Sequence, residues 1–433
     1  MGFMITGIWK ALLMASLVAC TQNTIPHDDA TNDPAPPFTV STAYVSVDYA
    51  QFTLNYTDFD AVSWVEVRRD TSAFPATTYD GDLVFLDTTF KNELYDYNPI
   101  TGTATLSPHQ SYYYSVFYAP TAQAKPIKLT DISIKTLSYK AGMHQTLQEL
   151  MAAARAAQPN LQFMIASNRA DVLLDTDAME TVFTTHPVIT SLSGVVLTPL
   201  QFDYANGYTT RDTPGITPQE RALFPTDMPL FGLDYADANN ATTITAAQAY
   251  ASDNNIIELV RPHSLSGLSA MTLPSDTTTD AISHVADAKN FIFMDRADEV
   301  TTYLDALKSS DYDLIIMTPF SADSSWESPR SAEDVDALRT KSTGNSRLVF
   351  AYIDISRVFS TDTTYWQSEW NNIQSQPQWI NKNITPNSPD YYANYWRHEW
   401  KTILKTMITT IATKGYNGIV WGNTHVYAQF PIN

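Results

Sequence analysis

The sequence predicts an α/β protein, a (β/α)8 TIM-type barrel preceded by a small all-β sandwich. Three observations predict it. Residues 38–137 alternate apolar and polar positions between turn signals, the pattern of half-buried strands. From about residue 140 the pattern changes to near-continuous apolar runs separated by helical stretches, as in a parallel sheet covered on both faces. Eight such runs follow one another, the strand number of a closed barrel.

Residues 1–19 hold Lys10 and the apolar run "ALLMASLVA", too short to span a membrane and suited to a signal peptide. The run ends in "LVAC", which resembles the bacterial lipoprotein box. Cys20 would then be the lipidated first residue, and Thr21 after it favours the outer membrane. A plain signal peptide with a stray cysteine is the competing reading. Cys20 is the chain's one cysteine, so no internal disulfide forms. Residues 20–37 are polar and rich in proline, a flexible tether. A net charge of −20 argues against nucleic acid, whose binding depends on neutralising phosphates. It suits either a cationic partner or simply a solvated acidic surface.

Within 38–137 the runs "QFTLNY", "SWVEVRR", "DLVFLD" and "SYYYSVFYA" read as strands of a sandwich. The stretch "LSPHQSYYYSVFYA" places Leu106, Pro108, Tyr112, Tyr114 and Val116 at the spacing of a tyrosine corner. The segment resembles a fibronectin type III module, which implies a spacer.

The barrel reading covers 140–433. "HQTLQELMAAARAAQ" sets Leu147, Leu150 and Met151 on one helical face. The eight runs are 161–167, 193–198, 229–234, 255–261, 290–295, 313–318, 347–354 and 417–421. "ADEVTTYLDALKSS" and "WRHEWKTILKTMITTIATKG" are helical stretches between them. A doubly wound open sheet is the alternative, although no glycine-rich phosphate loop follows any run.

Four stretches resemble the endo-α-1,4-polygalactosaminidases, glycoside hydrolase family 114: "NFIFMDRADEV", "SSDYDLIIMTPFSAD", "RLVFAYIDIS" and "YYANYWRHEWKTILKTMITTIATKGYNGIVW". "LQFMIASNRADVLL", "ITSLSGVVLT" and "PLFGLDYADA" resemble the same family's later portion, yet come first here. The resemblance implies a circularly permuted barrel in which strand 417–421 pairs with strand 161–167; an ordinary strand order is the alternative. It also implies a polysaccharide partner, with a cationic galactosamine polymer in view. A membrane partner enters through the lipid anchor.

The residues depart from the family at its acids. The family's strand-end acid falls on Gly422 and the first Asp of its Asp-Gly-Val motif on Asn417. Its Glu falls near Thr198, its Asp on Thr318, and a further acid near Arg357. Glycoside hydrolysis generally needs two carboxyls. Acids remain at three strand ends, Asp234, Asp295 and Asp354, readable as a relocated catalytic set or as structural carboxylates at the rim. Asn168, Thr198, Thr318, Tyr352, Trp421, Asn423 and His425, with loop Trp366, Trp370 and Trp379, are the substrate-binding candidates; helix Trp396 and Trp400, at i and i+4, read as packing. His263, His398 and His425 show no metal-ligand spacing, so neither metal nor cofactor is expected. Three functions stay open: glycan binding without family-type hydrolysis, hydrolysis by relocated acids, or structural adhesion.

Overall fold

The alternating N-terminal runs become seven antiparallel strands: β1 (Phe38–Val45), β2 (Ala50–Tyr56), β3 (Trp64–Asp70), β4 (Asp82–Asp87), β5 (Glu93–Tyr95), β6 (Ser111–Ala119) and β7 (Ile127–Lys135). The computed structural model describes residues 35–430 except 97–105, 176–183, 205–207, 213, 265–279, 321–328, 361–364 and 385–389. The signal segment and Cys20 therefore lie outside the described residues. The chain divides into two units after Leu137.

In the first unit the strands form two sheets, β1-β2-β5 and β4-β3-β6-β7. Their facing residues, among them Phe52, Leu54, Val65, Val67, Tyr114 and Val116, share one core. The Tyr112 hydroxyl accepts the Ser107 N–H at 2.7 Å, the backbone tie of a tyrosine corner. This sandwich resembles a fibronectin type III module.

In the second unit all eight apolar runs are strands: β8 (Gln162–Ser167), β9 (Gly194–Leu197), β10 (Leu230–Tyr235), β11 (Ile257–Arg261), β12 (Phe291–Met294), β13 (Leu314–Met317), β14 (Leu348–Asp354) and β15 (Gly418–Gly422). They form one parallel sheet in the order β12-β13-β14-β15-β8-β9-β10-β11. β15 pairs with β8, Gly418 opposite Gln162 and Trp421 opposite Ile165, as the sequence suggests. The order never reverses, so the doubly wound alternative falls. The result is a nearly closed (β/α)8-type barrel.

Helices α1 (Tyr139–Ala157), α2 (Ala241–Asp253), α3 (Ala297–Lys308), α4 (Ala332–Leu338) and α5 (His398–Ala412) accompany the strands. Side-chain caps start three of them: Ser138 accepts from Ala141 N–H, Asn240 from Thr243 N–H and Ser331 from Asp334 N–H. On α5, Trp400, Leu404, Met407, Ile408 and Ile411 recur at helical spacing and are all buried.

Strand register fixes which residues look inward. Neighbours in a parallel register share a face, and alternate residues along a strand share it too. Phe293, Ile316 and Phe350 are in register across β12, β13 and β14. Tyr352, Val420 and Met164 continue that face across β14, β15 and β8. Phe231 meets Phe291 edge-on at 5.1 Å, and Phe293 meets Tyr352 at 5.2 Å, so this face is the packed interior. The other face looks towards the helices: Phe163 stacks on Trp421, and Arg155 of α1 lies over the Phe163 ring at 4.9 Å.

The sheet's two ends, β11 and β12, meet at a seam. Arg261 bridges it, donating through Nη1 to the Phe293 carbonyl at 2.7 Å. Its Nη2 reaches both oxygens of Glu299 on α3, at 2.9 and 2.8 Å. Arg261 is 2% exposed and Glu299 5%, so each charge depends on the other. Arg261→Met is therefore expected to destabilise the protein by at most about 3–5 kcal/mol, because buried Glu299 loses its bidentate partner and keeps Arg296 at 4.0 Å. The double change Arg261→Met with Glu299→Leu should recover most of the loss. Thermal denaturation of the three proteins checks this; equal melting temperatures for the two variants would refute it.

Candidate active site at the barrel mouth

Following the inward face to the strand ends identifies the mouth. It comprises Asn168, Thr198, Tyr235, Arg261, Asp295, Thr318, Tyr352 and, one step further out, Asp354. Two of the three candidate acids are therefore on one rim.

Asp295 follows β12. Its surface is open to solvent. Loss of bulk water nonetheless raises its carboxyl, while Arg261 pulls it down. No side-chain donor among the described residues hydrogen-bonds this carboxyl. Asp354 ends β14 and is half-buried. Burial raises its carboxyl as well, opposed by its donors. The Ser356 N–H donates to Oδ1 at 3.0 Å and the Ser356 hydroxyl at 3.2 Å; Asn423 Nδ2 donates to Oδ2 at 2.5 Å. Between the two acids stands Tyr352. Burial, then Asp354, then Asp295 push its phenol well above its usual range, so both carboxylates act on one hydroxyl.

Aromatic rings complete the wall. Tyr235 points into the mouth, where burial and Asp295 raise its phenol and the Thr198 side chain hydrogen-bonds it. Tyr204 stacks on His263 with centroids 3.7 Å apart and meets Tyr235 edge-on at 5.1 Å. A small sheet formed by Arg357–Phe359, Ile380–Asn383 and Asp390–Ala393 follows β14. In it Arg357 pairs with Tyr392, and both feel Asp354. Arg357 is held by Asp390.

Gly422, where the family resemblance expects an acid, has no room for one. A Cβ there would lie 2.3 Å from the Tyr352 hydroxyl. The next residue, Asn423, has a left-handed backbone with φ of 53°. His425 is half-buried and its Nδ1 accepts the Asn168 N–H at 3.3 Å. Burial pushes the imidazole down to about 4, so it is neutral at physiological pH. The Asn168 Oδ1 is buried without a partner among the described residues. Thr318 is 8% exposed, and its N–H donates to the Met294 carbonyl.

Other candidates lie elsewhere. Asp234 sits on the outer face of β10, 0% exposed, so it is not part of the mouth. It accepts the N–H groups of Gln201 and Phe202, each at 2.6 Å, and clamps that loop. Its partner is Glu258, whose oxygens otherwise have no partner among the described residues. Two adjacent carboxylates need one proton. Glu258 carries it, pushed up to about 9 by burial and by the Asp234 charge. Trp421 is 0% exposed on the outer face, a core residue beyond a ligand's reach. Trp366 stacks on Tyr391, which alternates with Tyr392 and so faces away from the mouth. Trp366, Trp370, Trp379 and Trp400 form a ladder running into the core beside α5.

Tyr235, Tyr204 and Tyr392 are missed by counting strand-end polar residues. Tyr235 was findable, because it adjoins Asp234 and a one-residue step exchanges the faces.

Comparison with known protein families and with curated proteins finds no match. Among solved structures, the chain is similar to the FN1–FN3 domains of chicken CNTN1, at 14% identity over 24% of this chain and 31% of that one, TM-score 0.19. The fibronectin type-III domain of human fibronectin type III domain containing protein 3 shows 9% identity over 25% of this chain and 92% of that one, TM-score 0.18. A β-1,2-glucanase from Parabacteroides distasonis shows 10% identity over 31% of this chain and 18% of that one, TM-score 0.17. The chain thus spans under a third of the CNTN1 fragment and under a fifth of the glucanase.

The Asp234–Glu258 proton makes a pH prediction. Glu258 titrates at 4.5 in its ordinary state and about 9 when folded. Between these values the native state holds a proton that the unfolded chain lacks. The pair's contribution is complete below 4.5 and declines as pH rises towards 9. Glu258→Gln removes this titration, so the variant should gain on the wild type as pH rises from 5 to 9. Melting temperatures across that range test it; a pH-independent difference contradicts the shared proton.

Proposed function

We propose that the barrel binds saccharide chains and cleaves glycosidic bonds with Asp295 and Asp354. The observation that carries this reading is the pair of raised carboxyls acting on one phenol in a single aromatic-walled mouth. β12 and β14 are two strand steps apart, roughly 10 Å, and Asp354 lies two residues, roughly 7 Å, further out than the position level with Asp295. The backbones are therefore roughly 12 Å apart, and the side chains must converge to reach the spacing of inverting carboxyls. The environments suggest the roles. Asp354, held by three donor contacts, suits the ionised base that activates water. Asp295, desolvated and without side-chain donors among the described residues, suits the acid that protonates the leaving oxygen.

The finer reading is a permuted relative of the endo-α-1,4-polygalactosaminidases acting on a cationic amino-sugar polymer. Its support is the sequence likeness and the sheet ends at β11 and β12, just where the likeness sets the family's first strand. The net charge of −20 would draw a polycation. Binding without hydrolysis is the second reading, favoured by the Tyr352 ring filling the place of the family's acid beside Gly422. Anchoring through Cys20 to the outer membrane completes the proposal; Cys20→Ser should move the protein from the membrane fraction to the soluble one.

The test is product release from partly deacetylated galactosaminan and a panel of neutral glycans. Wild type should release oligosaccharides, and Asp295→Asn and Asp354→Asn should each lower the rate by about 10²–10⁴-fold. Retention on the polymer with no release would favour the binding reading. Neither retention nor release on any glycan would sink both.

A further inference from the structure

Gly422 ends β15 and Asn423 opens the loop after it, where the expected acid is missing, and both touch residues at the end of the neighbouring strand β14. Gly422 leaves room for Tyr352 to lie across the end of β15. Asn423 then turns with φ 53° and ψ 36°, a conformation that asparagine tolerates better than most residues. That turn brings Nδ2 to Asp354 Oδ2 at 2.5 Å. The single proton of the Ser356 hydroxyl is shared between the Asn423 carbonyl at 3.3 Å and Asp354 Oδ1 at 3.2 Å. Both carboxylate oxygens are thereby held from two loops.

We propose that Asn423 is a positioning residue for Asp354: its left-handed turn sets a carboxamide donor on Oδ2, holding the carboxylate ionised and oriented in the mouth. The inference rests on the hydrolytic reading above. Around Asp354 stand Arg357, paired with Asp390, and the phenols of Tyr352 and Tyr392. Asp295 is the other acid acting on Tyr352. Arg357 is the one cation in this set, and its charge is shared with Asp390. The Ser356 N–H, then Arg357, then the Asn423 carboxamide oppose the effect of burial on Asp354, so the neutral donors share that work with Arg357.

Two variants separate this role from loop stability. Asn423→Gly keeps the left-handed backbone and removes the donor. Asn423→Asp keeps the side-chain size and replaces the donor with an acceptor. The Asp354 carboxyl is followed by carbon NMR in the full chain labelled at aspartate carboxyls, its signal assigned by its loss in Asp354→Asn. Losing a hydrogen bond to a charged group should move its titration up by about one to two pH units in Asn423→Gly, and further in Asn423→Asp. The acid limb of kcat/KM should move up by the same amount. An unmoved titration, or a fall in kcat with an unmoved limb, overturns the positioning role. If wild type cleaves no saccharide, the hydrolytic reading fails, while the carboxyl titration still reports on Asn423.

Discussion

Which face of each strand looks inward is the constraint on which the rest of the barrel depends. Register is shared around the ring, so one strand cannot turn its residues over without breaking its pairing with both neighbours. Phe293, Ile316 and Phe350 fill the interior because they are in step, and Asp295 and Asp354 reach the mouth because they lie on the same face of their strands. Asp234, one residue before Tyr235, is carried to the other side and becomes a buried clamp for a loop. A single backbone rule thus separates acids with a chemical opportunity from an acid that holds structure.

Much of the architecture was legible in the chain. Continuous apolar runs such as "DLIIMT" and "RLVFAYID" leave little choice but strands buried on both faces, and all eight became barrel strands. The tyrosine-corner spacing correctly placed Tyr112 against the backbone before it. The site was less legible. Strand ends can be read from sequence, but facing depends on register with strands far along the chain. Trp421 looked like a mouth residue because it ends an apolar run, yet its indole packs on Phe163. Trp366 and Trp370 looked like cleft residues because they lie in a loop, yet ring stacking draws them towards Trp379 and α5. The crowding of Gly422 by Tyr352 involves two strands and has no local signal.

Buried charge is used at both ends of the strands around Asp295. Arg261 joins the two ends of the sheet and also lies close enough to Asp295 to temper its carboxyl. A second buried pair, Lys341 with Asp313, is fully enclosed, and Asp313 also accepts the Lys289 N–H at 2.7 Å just before β12. Pairs of this kind contribute little net stability but penalise any arrangement that separates them. Here they fix β12 and its neighbours, so the placement of Asp295 derives from ionic contacts at both ends of its strand.

The pairing of β15 with β8 also orders events in time. Residues 162 and 418 are far apart in sequence, and bringing them together carries a loop-closure cost that neighbouring strands avoid. β8 to β11 can assemble from nearer contacts, and so can β12 to β15. On contact order alone, pairing within each group of four strands is expected to precede the pairing of Gly418–Trp421 with Gln162–Ile165. Until that late step, the strand carrying Gly422 and Asn423 has only one of its two neighbours, and its unpaired edge is the surface most open to a wrong partner.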